Sequence, residues 1–231
     1  MKYIYLSKRW LILLWIFLGI LLFMIYTAKS HEDSLLTAFA SPAKNRIVVI
    51  DAGHGGIDSG AKSPLGTRED ELNLKVAQKL NKYLTDHGAI VIMTRDSEEG
   101  LSKRKSEDMQ KRVAIIKESN PDIVISIHMN KFPQTQYYGG QTFYMTGSET
   151  GEKLAESIQR VLIENLIEGN NRQIKAANNL LILKVGSAPT VIVECGFLSN
   201  TKEEILLKTD DYQEKIAWSI YNGIVEYFAL E

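Results

Sequence analysis

The chain has 231 residues, 45% hydrophobic and 24% charged, enough for one compact domain of ordinary size once an N-terminal apolar segment is set aside. A formal net charge of -1 offers no basic footprint for nucleic acid, which excludes that class of partner. The single cysteine, Cys195, rules out an intrachain disulfide, so compartment has to be read from other features.

The first such feature is the run from Trp10 to Tyr26, seventeen residues without a charge, preceded by Lys2, Lys8 and Arg9. As a helix it would reach about 25 Å, close to the thickness of a hydrocarbon core. A core helix of the domain is the plainer alternative, but the flanking charges favour a membrane segment. The basic side stays in the cytoplasm, which sends the rest of the chain outside. Ala38-Phe39-Ala40 has the small-x-small pattern of a cleavage site yet lies well beyond the apolar run, so a retained anchor is expected. This divides the chain into a cytoplasmic basic segment (1–9), a signal-anchor (10–26), a tether (27–45) and a domain (46–231).

Within the domain, Ile47-Val48-Val49-Ile50 predicts a buried strand, stopped by the turn Gly53-His54-Gly55-Gly56. Thr67-Arg68-Glu69-Asp70 predicts a capping box with Thr67 as the cap. Leu72, Val76, Leu80 and Leu84, joined by Ala77 and Tyr83, mark the core face of the helix that follows, and Gly88 ends it. Ala89 to Thr94 predicts a strand and Asp96 to Ser106 a charged loop. Met109, Val113 and Ile116 predict a helix stopped by Asn120-Pro121. Ile123 to His128 is the third expected strand and Gln141 to Met145 the fourth. A helix over Glu152–Leu166, a strand over Thr190–Val193 ending at Glu194, and a closing helix carrying Ile216, Ile220, Ile224 and Phe228 complete the pattern. Helices alternating with short apolar strands indicate an α/β domain whose mostly parallel sheet is covered on both faces.

In such sheets ligands gather beyond the carboxyl ends of the strands. His54 follows the first strand, His128 closes the third, Glu194 closes the last, and Glu69 lies in the first turn of the helix after the first loop. Two imidazoles and one carboxylate form a common catalytic zinc set, and a further unbound carboxylate can serve as base. Each residue also has a plainer explanation: His128 as a hydrogen-bonded core histidine, Glu69 as a complement to the helix dipole, Glu194 as an ion-pair partner.

The remaining candidates read as structural. His87 sits in the last turn of its helix, where a cation suits the dipole. His31-Glu32 opens like a helical zinc motif, but Leu35 stands where the second ligand belongs. Cys195 has no histidine arrangement nearby and reads as a small buried side chain. Lys103-Arg104-Lys105 reads as a solvated loop. Arg95 and Arg112 could pair with carboxylates at the sheet edge, although spacing alone does not decide it.

Taken together, Asp51-Ala52-Gly53-His54-Gly55-Gly56-Ile57-Asp58-Ser59-Gly60-Ala61, then Glu69 leading Leu72-Asn73-Leu74, then Ser126-Ile127-His128-Met129-Asn130, and finally Val193-Glu194-Cys195-Gly196-Phe197-Leu198-Ser199-Asn200 resemble the zinc-dependent N-acetylmuramoyl-L-alanine amidases. The match runs in order from about Ile47 to Phe228. Where the family often has lysine and aspartate after the glutamate, Asp70-Glu71 follow here.

The resemblance implies a mixed, zinc-exopeptidase-like sheet of about six strands flanked by helices. It further implies one Zn2+ held by His54, Glu69 and His128, with Glu194 as catalytic glutamate, and hydrolysis of the amide between the muramic lactyl group and L-alanine of peptidoglycan. Arg104-Lys105-Ser106-Glu107-Asp108, the short anchor and the lack of wall-binding repeats resemble the sporulation branch. That branch acts on spore-cortex peptidoglycan, in muramic lactam formation needed for germination, and its place would be the spore envelope. The alternatives are a vegetative wall amidase, a zinc carboxypeptidase or deacetylase of related fold, or a catalytically silent wall-binding module.

Overall fold

The computed structural model describes residues 41–231 together with Lys8, Trp10, Trp15 and residues 17–24. The chain divides into two units, Met1–Ala40 and Ser41–Glu231. In the first, the described residues are helical and exposed. Among the described residues no helix is long and apolar enough to cross a membrane. The expected anchor over 10–26 lies partly outside the described residues, as does the tether up to residue 40 and the discarded motif at His31.

The second unit opens with a turn over residues 41–45, anchored by the buried Ala43 and by Asn45 N–H donating to the Gly88 carbonyl at 2.8 Å. Six strands follow: β1 (Ile47–Ala52), β2 (Ile90–Met93), β3 (Ile123–Asn130), β4 (Gln141–Met145), β5 (Lys175–Ala177) and β6 (Thr190–Phe197). They form one sheet in the order β2-β1-β3-β6-β4-β5. All neighbours are parallel except β4 against β6.

The helices are α1 (Glu69–Asp86), α2 (Lys105–Ser119), α3 (Glu149–Asn165), α4 (Thr201–Leu207) and α5 (Asp210–Leu230), with one 3-10 turn over Leu181–Lys184. The long apolar runs of β1, β3 and β6 reflect burial on both faces, and alternation sorts their residues. Val48, Ile50, Ile123, Ile125, Ile127, Val191 and Val193 face a large core with Leu80 of α1, Ile158 of α3 and Ile220 of α5. Val49, Val124 and Ile192 face a smaller one closed by Ile116 of α2 and by Ile182 and Leu183 of the 3-10 turn. The mixed, two-faced sheet is thus the one expected.

Several local expectations change. The capping box is absent: α1 is capped by Arg68 without a side-chain bond. The Thr67 hydroxyl donates instead to the buried Glu204 carboxylate at 2.6 Å, because a desolvated carboxylate is a stronger acceptor than a local turn provides. Helix α2 begins at Lys105, inside the expected loop, and α3 begins at Glu149 under a Ser148 cap that accepts from Gly151 N–H at 3.1 Å. Strand β5 and helix α4 lacked a pattern in the sequence, being three and seven residues long.

Candidate active site

The carboxyl ends of β1, β3 and β6 meet around the Gly53–Gly56 loop. Two buried arginines shape that loop. Arg95 donates to the carbonyls of Ala52 (2.9 Å) and Gly53 (3.0 Å), and Arg112 to those of Ala52 (2.7 Å) and His54 (2.5 Å). Arg112 is neutralised from below by Asp51 (2.7 Å) and Asp108 (2.6 Å). Despite burial, which would raise it, the Asp51 carboxyl is held below the usual range by Arg112, the Ser126 hydroxyl and Thr94. These arginines therefore serve the site by fixing three consecutive carbonyls, a role that spacing could not have assigned.

Held in this way, His54 adopts a left-handed backbone with φ 61, rare outside glycine, as befits a residue turned sharply off a strand end. Its Nδ1 faces Asp58 Oδ2 at 3.0 Å and its Nε2 faces Glu69 Oε1 at 3.3 Å. His128 Nδ1 meets the same Glu69 oxygen at 2.9 Å. A register shift in β3 beside His128 frees Met129 N–H to donate to it as well, at 3.2 Å. The other Glu69 oxygen accepts from Ala61 N–H at 2.7 Å. One ligand atom from each of His54, Glu69 and His128 lies within 4.8 Å of the others.

The two acids that follow are used otherwise. Arg68 grips Asp70 through Nε (3.0 Å) and Nη2 (2.6 Å) and also reaches Glu71 at 3.3 Å, leaving Glu69 as the acid turned to the histidines.

Two glycines leave the space this cluster needs. A Cβ on Gly53 would collide with the His128 ring, and one on Gly60 would sit 2.5 Å from Glu69 Oε2 and 2.7 Å from His54 Cδ2.

The electrostatics follow the geometry. Burial alone would lower His54, but the Glu69 and Asp58 carboxylates outweigh it and raise the imidazole to about 9. Burial would raise Glu69, yet the two histidines hold it far below the carboxylate range. Burial likewise opposes, and Lys105 and His54 together enforce, the depression of Asp58 to about 2. The Glu69 and Asp58 carboxylates thus make the surroundings of His54 favourable to positive charge, which a cation could supply in place of the proton.

Glu194 differs. It pairs in register with His128 across β3 and β6, and among the described residues its buried Oε2 has no hydrogen-bond partner. Burial raises its carboxyl to about 7; the Glu69 charge adds to this and the histidines oppose it. A buried, unpartnered carboxylate oxygen is costly to maintain, and its place beside His128 makes Glu194 a candidate for chemistry. A narrow cleft of about 90 Å³ opens beside the histidines, lined in part by Ile57, Asp58, Lys105 and Met109.

The other sequence candidates fall away from this site. His87 caps α1, its Nδ1 2.7 Å from the Tyr83 carbonyl. Cys195 is fully buried, and burial pushes its thiol well up, as suits an inert side chain. The Lys-Arg-Lys triplet is not wholly solvated, because Lys105 Nζ reaches Asp58 Oδ1 at 2.7 Å. The part played by Asp58 escaped sequence reasoning, although its position four residues after His54 was the available signal.

The chain is similar to known proteins over nearly its whole length. The family described as N-acetylmuramoyl-L-alanine amidase matches residues 48–226. The germination-specific N-acetylmuramoyl-L-alanine amidase of Bacillus subtilis (strain 168) is 38% identical over 230 residues, which cover 95% of this chain and 94% of that one. Among solved structures, the CwlD amidase from Clostridioides difficile in complex with the GerS lipoprotein superposes with a TM-score of 0.79 at 40% identity, covering 81% of this chain and 100% of that one. The catalytic domain of the CwlV amidase from Bacillus (Paenibacillus) polymyxa var. colistinus gives 0.72 at 29% identity, covering 80% and 99%. With a family model matching residues 48–226, a 38% identical relative covered nearly end to end and a solved structure superposing at a TM-score of 0.79, the chain belongs to the N-acetylmuramoyl-L-alanine amidase family.

Proposed function

We propose that the chain is a zinc-dependent amidase that cleaves the bond between the lactyl group of N-acetylmuramic acid and L-alanine, acting outside the cytoplasm on spore-cortex peptidoglycan. The observation that carries the metal assignment is the convergence of His54, Glu69 and His128 within 4.8 Å, in a cradle that a Cβ at Gly53 or Gly60 would fill. Two imidazoles and one carboxylate suit zinc and leave coordination free for the reaction. Bound there, zinc supplies Lewis-acid chemistry, acidifying water and polarising an amide carbonyl.

The chain's own groups then divide the work. Glu194, unpartnered and raised to about 7, takes a proton from the water that attacks the lactyl carbonyl carbon. As the carbon–nitrogen bond breaks, the same carboxyl returns that proton to the alanine nitrogen, which leaves as an amine. Glu69 stays fixed, held by Met129 N–H and Ala61 N–H, and His54 is held by Asp58.

The substrate assignment draws on the germination-specific relative and its high coverage. Extracytoplasmic action and the role of residues 10–26 as an anchor follow from the flanking charges and the nature of the substrate. The test is mass spectrometry of muropeptides after the full chain, with zinc, is incubated with cortex and with vegetative peptidoglycan. Free stem peptides beginning with L-alanine, released in preference from cortex, are the expected products. Loss of single terminal residues or of acetate alone would instead identify a carboxypeptidase or a deacetylase.

A further inference from the structure

Asp58 is neither in the three-residue metal set nor close in the sheet to Glu194, yet it is held in place from several directions. Its Oδ1 accepts from Lys105 Nζ at 2.7 Å and from Gly60 N–H at 3.2 Å, which turns Oδ2 toward His54 Nδ1 at 3.0 Å. Its backbone closes a tight turn with Gly55, donating to the Gly55 carbonyl at 3.1 Å and accepting from Gly55 N–H at 2.8 Å. The glycines at 55 and 56 make this turn feasible, with φ 127 and φ 58. Lys105 comes from the first residue of α2, so the contact ties the histidine loop to a separate element.

This contact has little to offer as a stability device. The Asp58 and Lys105 side chains are 25% and 67% exposed, and ion pairs so solvated contribute little. What the contact does fix is an orientation. An imidazole whose Nδ1–H donates to a carboxylate presents Nε2 as its free lone pair, in one ring orientation, and here that nitrogen faces Glu69.

We infer that Asp58 is a positioning residue for the metal centre: anchored by Lys105, it selects the His54 tautomer and ring orientation that a divalent cation requires. The inference rests on the proposed metal set of His54, Glu69 and His128. It predicts that metal affinity, rather than folding, is what Asp58 controls.

The experiment measures zinc affinity of the full chain by competition with a chromophoric chelator, for wild type, Asp58→Ala, Asp58→Asn, Lys105→Met and His54→Ala. Asp58→Ala should weaken zinc by about 10–100-fold, the range for loss of an outer carboxylate partner. Asp58→Asn, which keeps an acceptor for Nδ1–H without the charge, should lose less, and Lys105→Met less again. The visible spectrum of the cobalt-substituted Asp58→Ala protein should also shift, a change that a purely structural role would not produce. Metal-free melting temperatures should match wild type, and Asp58→Asn decides the question if the alanine variant does not fold. Wild-type affinity and an unaltered cobalt spectrum in both Asp58 variants would overturn the inference while leaving the metal set standing. Failure of the wild type itself to bind zinc, or undiminished binding by His54→Ala, would bring down the metal assignment and this inference with it.

Discussion

His128 and Glu194 are register partners on the adjacent parallel strands β3 and β6, so a single ladder of backbone hydrogen bonds sets both at the same sheet end and on the same face. Neighbouring strands lie about 4.8 Å apart, which puts the proposed base beside a proposed ligand. The histidine joins the Glu69 cluster, whereas the glutamate keeps a buried oxygen without a partner.

That division leads to a clear outcome for Glu194→Gln. The amide keeps the shape of the carboxyl but cannot carry the proton, so stem-peptide release should fall by about 10²–10⁴-fold. Zinc content, measured by atomic emission, should stay at the wild-type level. Undiminished turnover in a zinc-replete variant would remove Glu194 from the mechanism.

Metal removal should be visible in stability as well as in activity. Chelation should abolish turnover and zinc should restore it, and a cation held only by the folded state stabilises that state by about 2.7 kcal/mol at a hundred times its dissociation constant. Differential scanning calorimetry with and without zinc reads this directly. An identical melting temperature in both conditions, with activity persisting in excess chelator, contradicts the assignment.

Glycine substitutions separate space from backbone strain. In Gly53→Ala the added methyl would press on the His128 ring, so both zinc binding and activity should drop sharply. Gly147 has φ 83 and open space around it, so Gly147→Ala should carry only a backbone penalty of about 1 kcal/mol and retain activity. Equal zinc affinity in the two variants, by chelator competition, would show that the tight approach at Gly53 is irrelevant to the metal.

Glu203 offers a test of pH dependence outside the histidine cluster. It is fully buried, accepting from Gly139 N–H at 2.9 Å and from Phe197 N–H at 2.8 Å. Burial nevertheless raises it from 4.5 to about 7. A folded-state value above the unfolded one means that its contribution is fully present below about pH 4.5 and lost as pH rises through 7. Relative to Glu203→Gln, the wild type should therefore lose up to about 3 kcal/mol across that window. Urea denaturation at several pH values measures it, and parallel curves for the two proteins would refute the expectation.

Much of this protein was legible from order and type of residue alone. The β-branched runs ending at Asp51, His128 and Glu194 marked strands whose ends point one way, and the four-residue spacing from Leu72 to Leu84 marked α1. Because a parallel sheet gathers its strand ends at one edge, His54, His128 and Glu194 could be placed together before any distance was known, with Glu69 added from the first turn of the helix after the first loop.

Tertiary structure alone decided where polar side chains with several options would go. Thr67, a reasonable local cap, donates instead to Glu204, 137 residues away; Lys105 reaches Asp58 across 47; and Arg112 threads under the loop to the His54 carbonyl across 58. The first and last of these depend on which groups folding strips of water, since a buried carboxylate or carbonyl is a stronger acceptor than an exposed neighbour. Lys105, in contrast, reaches the partly exposed Asp58 because the fold brings the start of α2 to the histidine loop. Periodicity records which face a residue turns inward, and for that reason it is silent about the partner waiting there.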